Sequence, residues 1–310
     1  MAPCGPAGLT VHFGSTTNLG SLIFQADPFE GIDMKVMKIA AFSDGGSGGN
    51  PAGVVIADEF PNDSEMQRVA AEIGFSETVF AVATNTGWRV RYFSPESEVP
   101  FCGHATIALG AALALQHGDG IFPLTLNRAD ITVEGRLSGE VITAALQSPP
   151  TRSNLAPHGF AAAATDLFGY MPDDLDPRLP PALIHGGADH WVIGLSSRKA
   201  LASMRYELNA GRDLMNGAGL ATILLVYSET PQLFHTRNPF ASGGVYEDPA
   251  TGAATAAFAG YLRDIGWPHG GVIDIVQGED MGMTSRLRAE IPGVPGSSIR
   301  VSGTARVMSF

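Results

Sequence analysis

The chain states one pattern twice. Residues 98–113 read EVPFCGHATIALGAAL, residues 247–262 read EDPATGAATAAFAGYL, and seven of the sixteen aligned positions are identical. The matches are Glu98/Glu247, Pro100/Pro249, Gly103/Gly252, Ala105/Ala254, Thr106/Thr255, Ala108/Ala257 and Leu113/Leu262. A repeat at so long a period describes architecture: two halves of similar fold, each with an acidic, Pro- and Gly-containing turn running into a helix. Both helices, ATIALGAALAL and AATAAFAGYL, are apolar on every face. A helix without a polar face must be buried on all sides. The abundance of Ala and Gly suits a narrow space, which predicts a helix wrapped by a strongly curved sheet. A helix sandwiched in an ordinary α/β layer structure is the competing reading.

Around these helices the chain alternates short elements. Strands are expected at Val36–Phe42 and Val54–Ala57, separated by the turn GGSGGNPAG, then a helix over Asn62–Ile73 capped by Asp63 or Ser64. Thr78–Ala83 and Trp88–Phe93 read as a hairpin turning at Asn85 and Gly87. Further strands are expected near 124–126, 131–134 and 141–146, and, in the second half, at 190–194, 220–227, 232–237, 272–277 and 286–290. The Pro/Ala-rich stretch 148–164 reads as the link between lobes. The division is thus 34–148 and 149–297, with a last strand at 298–308 that returns to the first lobe and completes it through residue 310.

Composition narrows the function classes. Only 16% of residues are charged, and 31 acidic residues outweigh 19 basic ones for a net charge of −12. No Lys/Arg stripe offers itself to nucleic acid or an anionic membrane. No apolar run is long enough to span a bilayer. Two cysteines, Cys4 and Cys102, make no disulfide framework and point to a reducing, cytoplasmic compartment. Residues 1–33 contain no Lys or Arg, fit neither a signal nor a transit peptide, and read as a mobile extension.

The chemistry is expected where the two repeat helices begin. Their free N–H groups and positive dipole ends form an anion site suited to a substrate carboxylate. Polar residues flank both starts: Cys102 and His104 in the first half, Asp248 and Thr251 in the second, with Glu77 upstream in GFSETVF. Each also has a bland explanation. Glu77 can be an exposed strand residue, His104 part of a helix start, and Asp248 a simple cap. As a set, Glu77, His104 and Asp248 are acid/base groups that a duplicated architecture brings to one seam. No HExxH, CxxC or paired-His spacing indicates a metal, and no G-x-G-x-x-G or GK[ST] indicates a nucleotide. Proton transfer without a cofactor is the class this inventory supports.

Five motifs in this order then identify a resemblance: GGNPAGVV (48–55), FSETVF (75–80), VRYFSPESEVPFCGHAT (90–106), EDPATGAA (247–254) and QGEDMGMTS (277–285). From about Lys35 onward the chain resembles the PhzF-like family of phenazine biosynthesis, which shares its fold with diaminopimelate epimerase. The resemblance implies an α+β fold of two pseudo-symmetric lobes, each a barrel-like, mostly antiparallel sheet around a central buried helix. It also implies a homodimer, and a proton shift on a substrate similar to trans-2,3-dihydro-3-hydroxyanthranilate without metal or coenzyme. By motif position the proton-transferring glutamate falls on Glu77, the active-site histidine on His104 and the aspartate on Asp248. Substrate contacts are expected from Asn50, Cys102, Gly103, Thr251, Gly252 and Ala253.

The departures bear on substrate. Ala253 stands where the family often has Ser, and Met283 and Thr284 replace Arg and Pro. Epimerases of the related type oppose two thiols, yet only Cys102 lies near such a position. Rival readings are an amino-acid epimerase or racemase, a non-catalytic binder of a small acid, and a serine hydrolase built on the G-x-S-x-G pattern at 45–49. Asn50-Pro51 follows that pattern in place of the helix it requires, and the S-x-x-K run Ser196–Lys199 is short enough to arise by chance.

Overall fold

A computed structural model describes residues 34–156 and 159–308. The extension 1–33, with Cys4, lies outside the described residues. The first core helix, Gly103–His117, is buried without interruption from Gly103 to Ala114. Eight strands surround it and close into a ring. In order they are Val36–Ala41, Asn50–Ala57, Thr78–Thr84, Gly87–Phe93, Gly120–Thr125, Asp130–Ser138, Val141–Gln147 and Arg300–Val307, which returns to Val36–Ala41. Two neighbouring pairs are parallel. One is joined by an outer helix, Asp63–Ile73, and the other by the core helix itself.

The second half repeats this scheme. Strands Asp189–Leu195 and Thr222–Ser228 are parallel across outer helices Arg198–Ala202 and Leu208–Ala218. Strands Leu233–Arg237 and Val272–Gln277 are parallel across the second core helix, Gly252–Asp264, which is buried from Gly252 to Leu262. Ala182–His185, Arg152–Leu155 and Ser285–Glu290 complete this sheet. Among the described residues no ladder closes its ring. Thr151 bridges the gap instead, donating its N–H to Gly296 O (3.2 Å) and its hydroxyl to Ser297 O (2.9 Å). Arg263, from the end of the core helix, donates to Thr151 Oγ1 (2.8 Å) and Ser297 Oγ (3.1 Å).

Strand Arg300–Val307 belongs to both sheets. Along one edge it pairs with Val141–Gln147. Along the other it meets Ser285–Glu290 through residues 300–302 and Val36–Ala41 through residues 305–307. The strand expected at 298–308 therefore does pair with the first strand of the chain.

Small residues set the distance between helix and sheet. A Cβ on Gly135 would lie 2.2 Å from the Gly110 carbonyl oxygen, so the helix passes the strand in backbone contact. Gly186 does the same in the second half, where a Cβ would fall 2.7 Å from the Ala257 nitrogen.

Several local expectations need correction. The helix cap is Asn62, whose side chain accepts from Glu65 N–H at 3.0 Å; Asp63 instead lies in the first turn, where its charge suits the helix dipole. The stretch 148–164 is no plain link, because Arg152–Leu155 pairs with Ala182–His185. Helix Leu208–Ala218 escaped notice because Gly211 and Gly217 lower its propensity, while Pro180, Pro181, Gly186 and Gly187 masked the short strand between them. No helix among the described residues is long and apolar enough to cross a membrane.

Replacing Gly135 by Ala should destabilise the protein by roughly 2–3 kcal/mol through overpacking. Gly217→Ala, an exposed helix position with open space around its Cα, should be neutral or stabilising by up to about 1 kcal/mol. Denaturant midpoints of the two variants test this; equal stability would mean the helix is not held at backbone distance.

Candidate active site

The two core helices begin against one another. A Cβ on Gly103 would lie 3.2 Å from the Ala253 nitrogen, and one on Gly252 would lie 3.7 Å from the Gly103 Cα. Neither helix cap, Cys102 or Thr251, caps its helix through its side chain, and neither first turn carries an acid. The positive ends of two long helices thus converge on one seam, an arrangement that favours a bound anion.

The repeated glutamates hold the turns that lead into these helices. Glu98 takes two hydrogen bonds from Arg91, Nε at 2.8 Å and Nη2 at 2.7 Å. Glu247 takes the same pair from Arg237, at 3.0 and 2.5 Å. Each arginine sits on the strand preceding its turn, so a bidentate clamp fixes both turns in the same way. The Arg237 clamp is buried and lies one residue before Asp248.

Every expected polar site residue lies at this seam. Glu77 precedes strand Thr78–Thr84 and is 7% exposed, so the exposed-strand explanation fails. Its Oε2 lies 3.3 Å from His104 Nε2 yet takes no hydrogen bond among the described residues. His104 Nε2 also lies 3.3 Å from Ser76 Oγ, and its Nδ1 lies 3.3 Å from Cys102 Sγ. Asn50, at the start of its strand, reaches across the seam to Asp248 Oδ1 (2.7 Å) and Ala250 O (3.0 Å). Thr251 donates its hydroxyl to Asp248 Oδ2.

Burial pushes the Asp248 carboxyl up to about 6; His104 and the hydroxyl of Thr251 pull the other way, Glu77 pushes it further up, and Asn50 pulls it down. Burial likewise holds the Cys102 thiol well above its ordinary range, with Glu77 adding to the effect. Asp248 therefore feels both Glu77 and His104 from the opposite half.

Three contributors were not singled out from the sequence. Gln277, fully buried, donates to Asp248 O (2.7 Å) and Thr251 Oγ1 (3.1 Å) and accepts from Thr251 N–H (3.2 Å). Asn238 donates to Thr251 Oγ1 and accepts, through its backbone oxygen, from Asp248 N–H (3.0 Å). Ser76 touches His104. The signal for Gln277 was present, since it opens the motif QGEDMGMTS. A further set has no signature in sequence spacing: ligand atoms of Glu77, Cys102 and His104 all lie within 4.8 Å of one another.

The rival motifs find structural roles. The turn at 45–49 leads into a strand, and Ser47 donates to Asp44 O (3.2 Å). A Cβ on Gly48, whose φ is +59°, would fall 1.9 Å from Thr284 O, so this loop locks against the opposite half. Ser197 caps helix Arg198–Ala202. A groove of about 620 Å³ on the sheet face near Thr304 carries two ion pairs, Arg286 with Asp44 and Arg288 with Asp274.

Known proteins place this geometry in a family. The model of the phenazine biosynthesis-like proteins, PhzC-PhzF, matches residues 39–309. The chain is similar to the trans-2,3-dihydro-3-hydroxyanthranilate isomerase of Pseudomonas aeruginosa, 31% identical over 280 residues covering 86% of this chain and 94% of the relative. It is also similar to an uncharacterized isomerase, YfhB, of Bacillus subtilis, 26% identical with 88% and 96% covered. Among solved structures, a PhzF-family phenazine biosynthesis protein of Bacillus anthracis superposes with a TM-score of 0.78 at 20% identity, covering 88% and 96%. A probable proline racemase of Agrobacterium radiobacter gives 0.60 at 12% identity, covering 89% and 91%. The α+β, epimerase-like fold expected from the motifs is the fold observed. The chain belongs to the PhzC-PhzF family of phenazine biosynthesis-like proteins, and it is an isomerase.

Proposed function

We propose that the enzyme shifts a proton on a small, carboxylate-bearing cyclic substrate similar to trans-2,3-dihydro-3-hydroxyanthranilate. One observation carries this reading: among the described residues a buried carboxylate oxygen of Glu77 takes no hydrogen bond, and it lies 3.3 Å from His104 beside two converging helix starts. A carboxylate oxygen that no donor holds is free to take a proton from a substrate placed against it. The helix starts bind the substrate carboxylate. Glu77 then removes a carbon-bound proton, and the electron pair moves into the conjugated system of the ring. Glu77 returns the proton at a second carbon, so the substrate is isomerised with no net gain or loss. His104 and Asp248 orient the ring and stabilise the charge that develops.

Asn50, Thr251 and Gln277 act by position. They fix both oxygens and the backbone of Asp248, leaving it one orientation. Ala253 removes a hydroxyl from the floor of the seam, which favours a substrate with an apolar edge there. A two-thiol epimerase mechanism has no support, because Thr251 occupies the repeat position that corresponds to Cys102.

Two outcomes are expected. In deuterated water the wild-type enzyme should incorporate deuterium into trans-2,3-dihydro-3-hydroxyanthranilate, and Glu77→Gln should reduce kcat at least about 100-fold with circular dichroism unchanged. Exchange at the wild-type rate in that variant would remove Glu77 from the reaction.

The second outcome concerns pH. The carboxyl of Asp248 rises from an ordinary 3.8 to about 6 on folding, so the folded state binds this proton more tightly than the unfolded state. Its contribution to stability is present below an ordinary carboxyl pKa and is lost as pH rises through about 6. Over that window the wild type should lose on the order of 3 kcal/mol relative to Asp248→Asn. Parallel stability–pH curves from denaturant titration would contradict the assignment.

A further inference from the structure

We propose that Glu77, Cys102 and His104 form a binding site for one thiophilic divalent cation of the Zn²⁺ type, and that this cation inhibits the isomerase. The three residues combine a carboxylate, a thiol and an imidazole, the donor set that Zn²⁺ and Cd²⁺ favour. All three are more than nine-tenths buried, with exposures of 7%, 8% and 4%. The separations come near those of a metal site. Tetrahedral Zn²⁺, with Zn–S about 2.3 Å and Zn–N and Zn–O about 2.0–2.1 Å, sets ligand–ligand edges of roughly 3.3–3.6 Å. Glu77 Oε2 lies 3.3 Å from His104 Nε2, within that range, whereas Cys102 Sγ lies 3.9 Å from the same nitrogen and 3.3 Å from Nδ1, so the imidazole must turn for all three to share one ion. The ligand atoms of all three fall within 4.8 Å of one another.

A second observation points to a ligand independently of these spacings. Among the described residues the buried Glu77 Oε2 takes no hydrogen bond and has only the His104 ring nitrogen beside it at 3.3 Å, a state that a cation relieves. Three protein ligands leave the fourth tetrahedral position open, as in catalytic rather than structural zinc sites. Binding displaces one proton, from the Cys102 thiol to solvent, and leaves a metal-bound thiolate, a carboxylate and a neutral imidazole. The same atoms serve Glu77 as base, so an occupied site has no free carboxylate for the substrate. That inhibition rests on the function proposed above; the binding does not.

The test is a Cd²⁺ titration of the full chain, followed by the ultraviolet sulfur-to-cadmium charge-transfer band. A saturable band at one Cd²⁺ per chain is expected, competed away by Zn²⁺. Cys4→Ser should keep the band, and Cys102→Ser should abolish it. Glu77→Gln and His104→Gln should each weaken Cd²⁺ binding at least about tenfold, since each removes one ligand. Absence of the band, its survival in Cys102→Ser, or unchanged affinity in both Gln variants overturns the site. Zn²⁺ at saturating occupancy should stop turnover of the wild type, and full turnover of the loaded enzyme overturns the inhibition. If Glu77→Gln abolishes deuterium exchange while no band appears, only the metal site fails. If the band appears and Glu77→Gln remains active, only the catalytic reading fails.

Discussion

A helix with no polar face leaves the polypeptide little freedom. From Ile107 to Ala114 the helix Gly103–His117 presents only apolar residues, so the sheet must close around it. Closure demands close approach, and the contact between Gly110 and Gly135 provides it. The crossover that would lie outside an ordinary parallel sheet lies inside here, in both halves. Enclosure consumes the sides of each helix and leaves only the ends. The N-terminal ends meet at the seam, where uncapped N–H groups and partial positive charge become a resource.

The repeat separates scaffold from chemistry. Where the copies agree, the residues build: Glu98 and Glu247 are gripped by Arg91 and Arg237, and Gly103 and Gly252 allow the helix starts to touch. Where they disagree, the reactive groups appear. Val99 faces Asp248 in the alignment, Cys102 faces Thr251, and His104 faces Ala253. Two similar halves thus make one asymmetric site, with Glu77 and His104 on one side and the anchored Asp248 on the other. The asymmetry has an electrostatic expression, since Asp248 responds to Glu77 and His104 across the seam.

Much of this was legible in the sequence, for identifiable reasons. All-round apolarity announced the enclosed helices, and the repeat announced the second lobe. Strands such as Val141–Gln147 and Val272–Gln277 declared themselves through β-branched runs. Polar site residues were legible as members of motifs. Asn238 was not, because its role depends on where the Pro239–Glu247 hairpin delivers its neighbours, and no local pattern encodes that. The Glu77–Cys102–His104 triangle was equally hidden. Its members come from a strand edge and a helix start that only the closed barrel brings together. Gly-poor helix rules also misjudged Leu208–Ala218, where packing of Gly211 against Tyr206 outweighs intrinsic propensity.

The strand shared by both sheets imposes an order on assembly. Ile39 pairs with Val307, so strand Val36–Ala41 waits for the chain as far as Val307 before that edge is covered. During vectorial emergence from a ribosome the first half can gather around its helix yet remain a split cylinder. One late docking event then seals that cylinder and ties the other sheet to it. Competence for catalysis should therefore be acquired abruptly, with that docking.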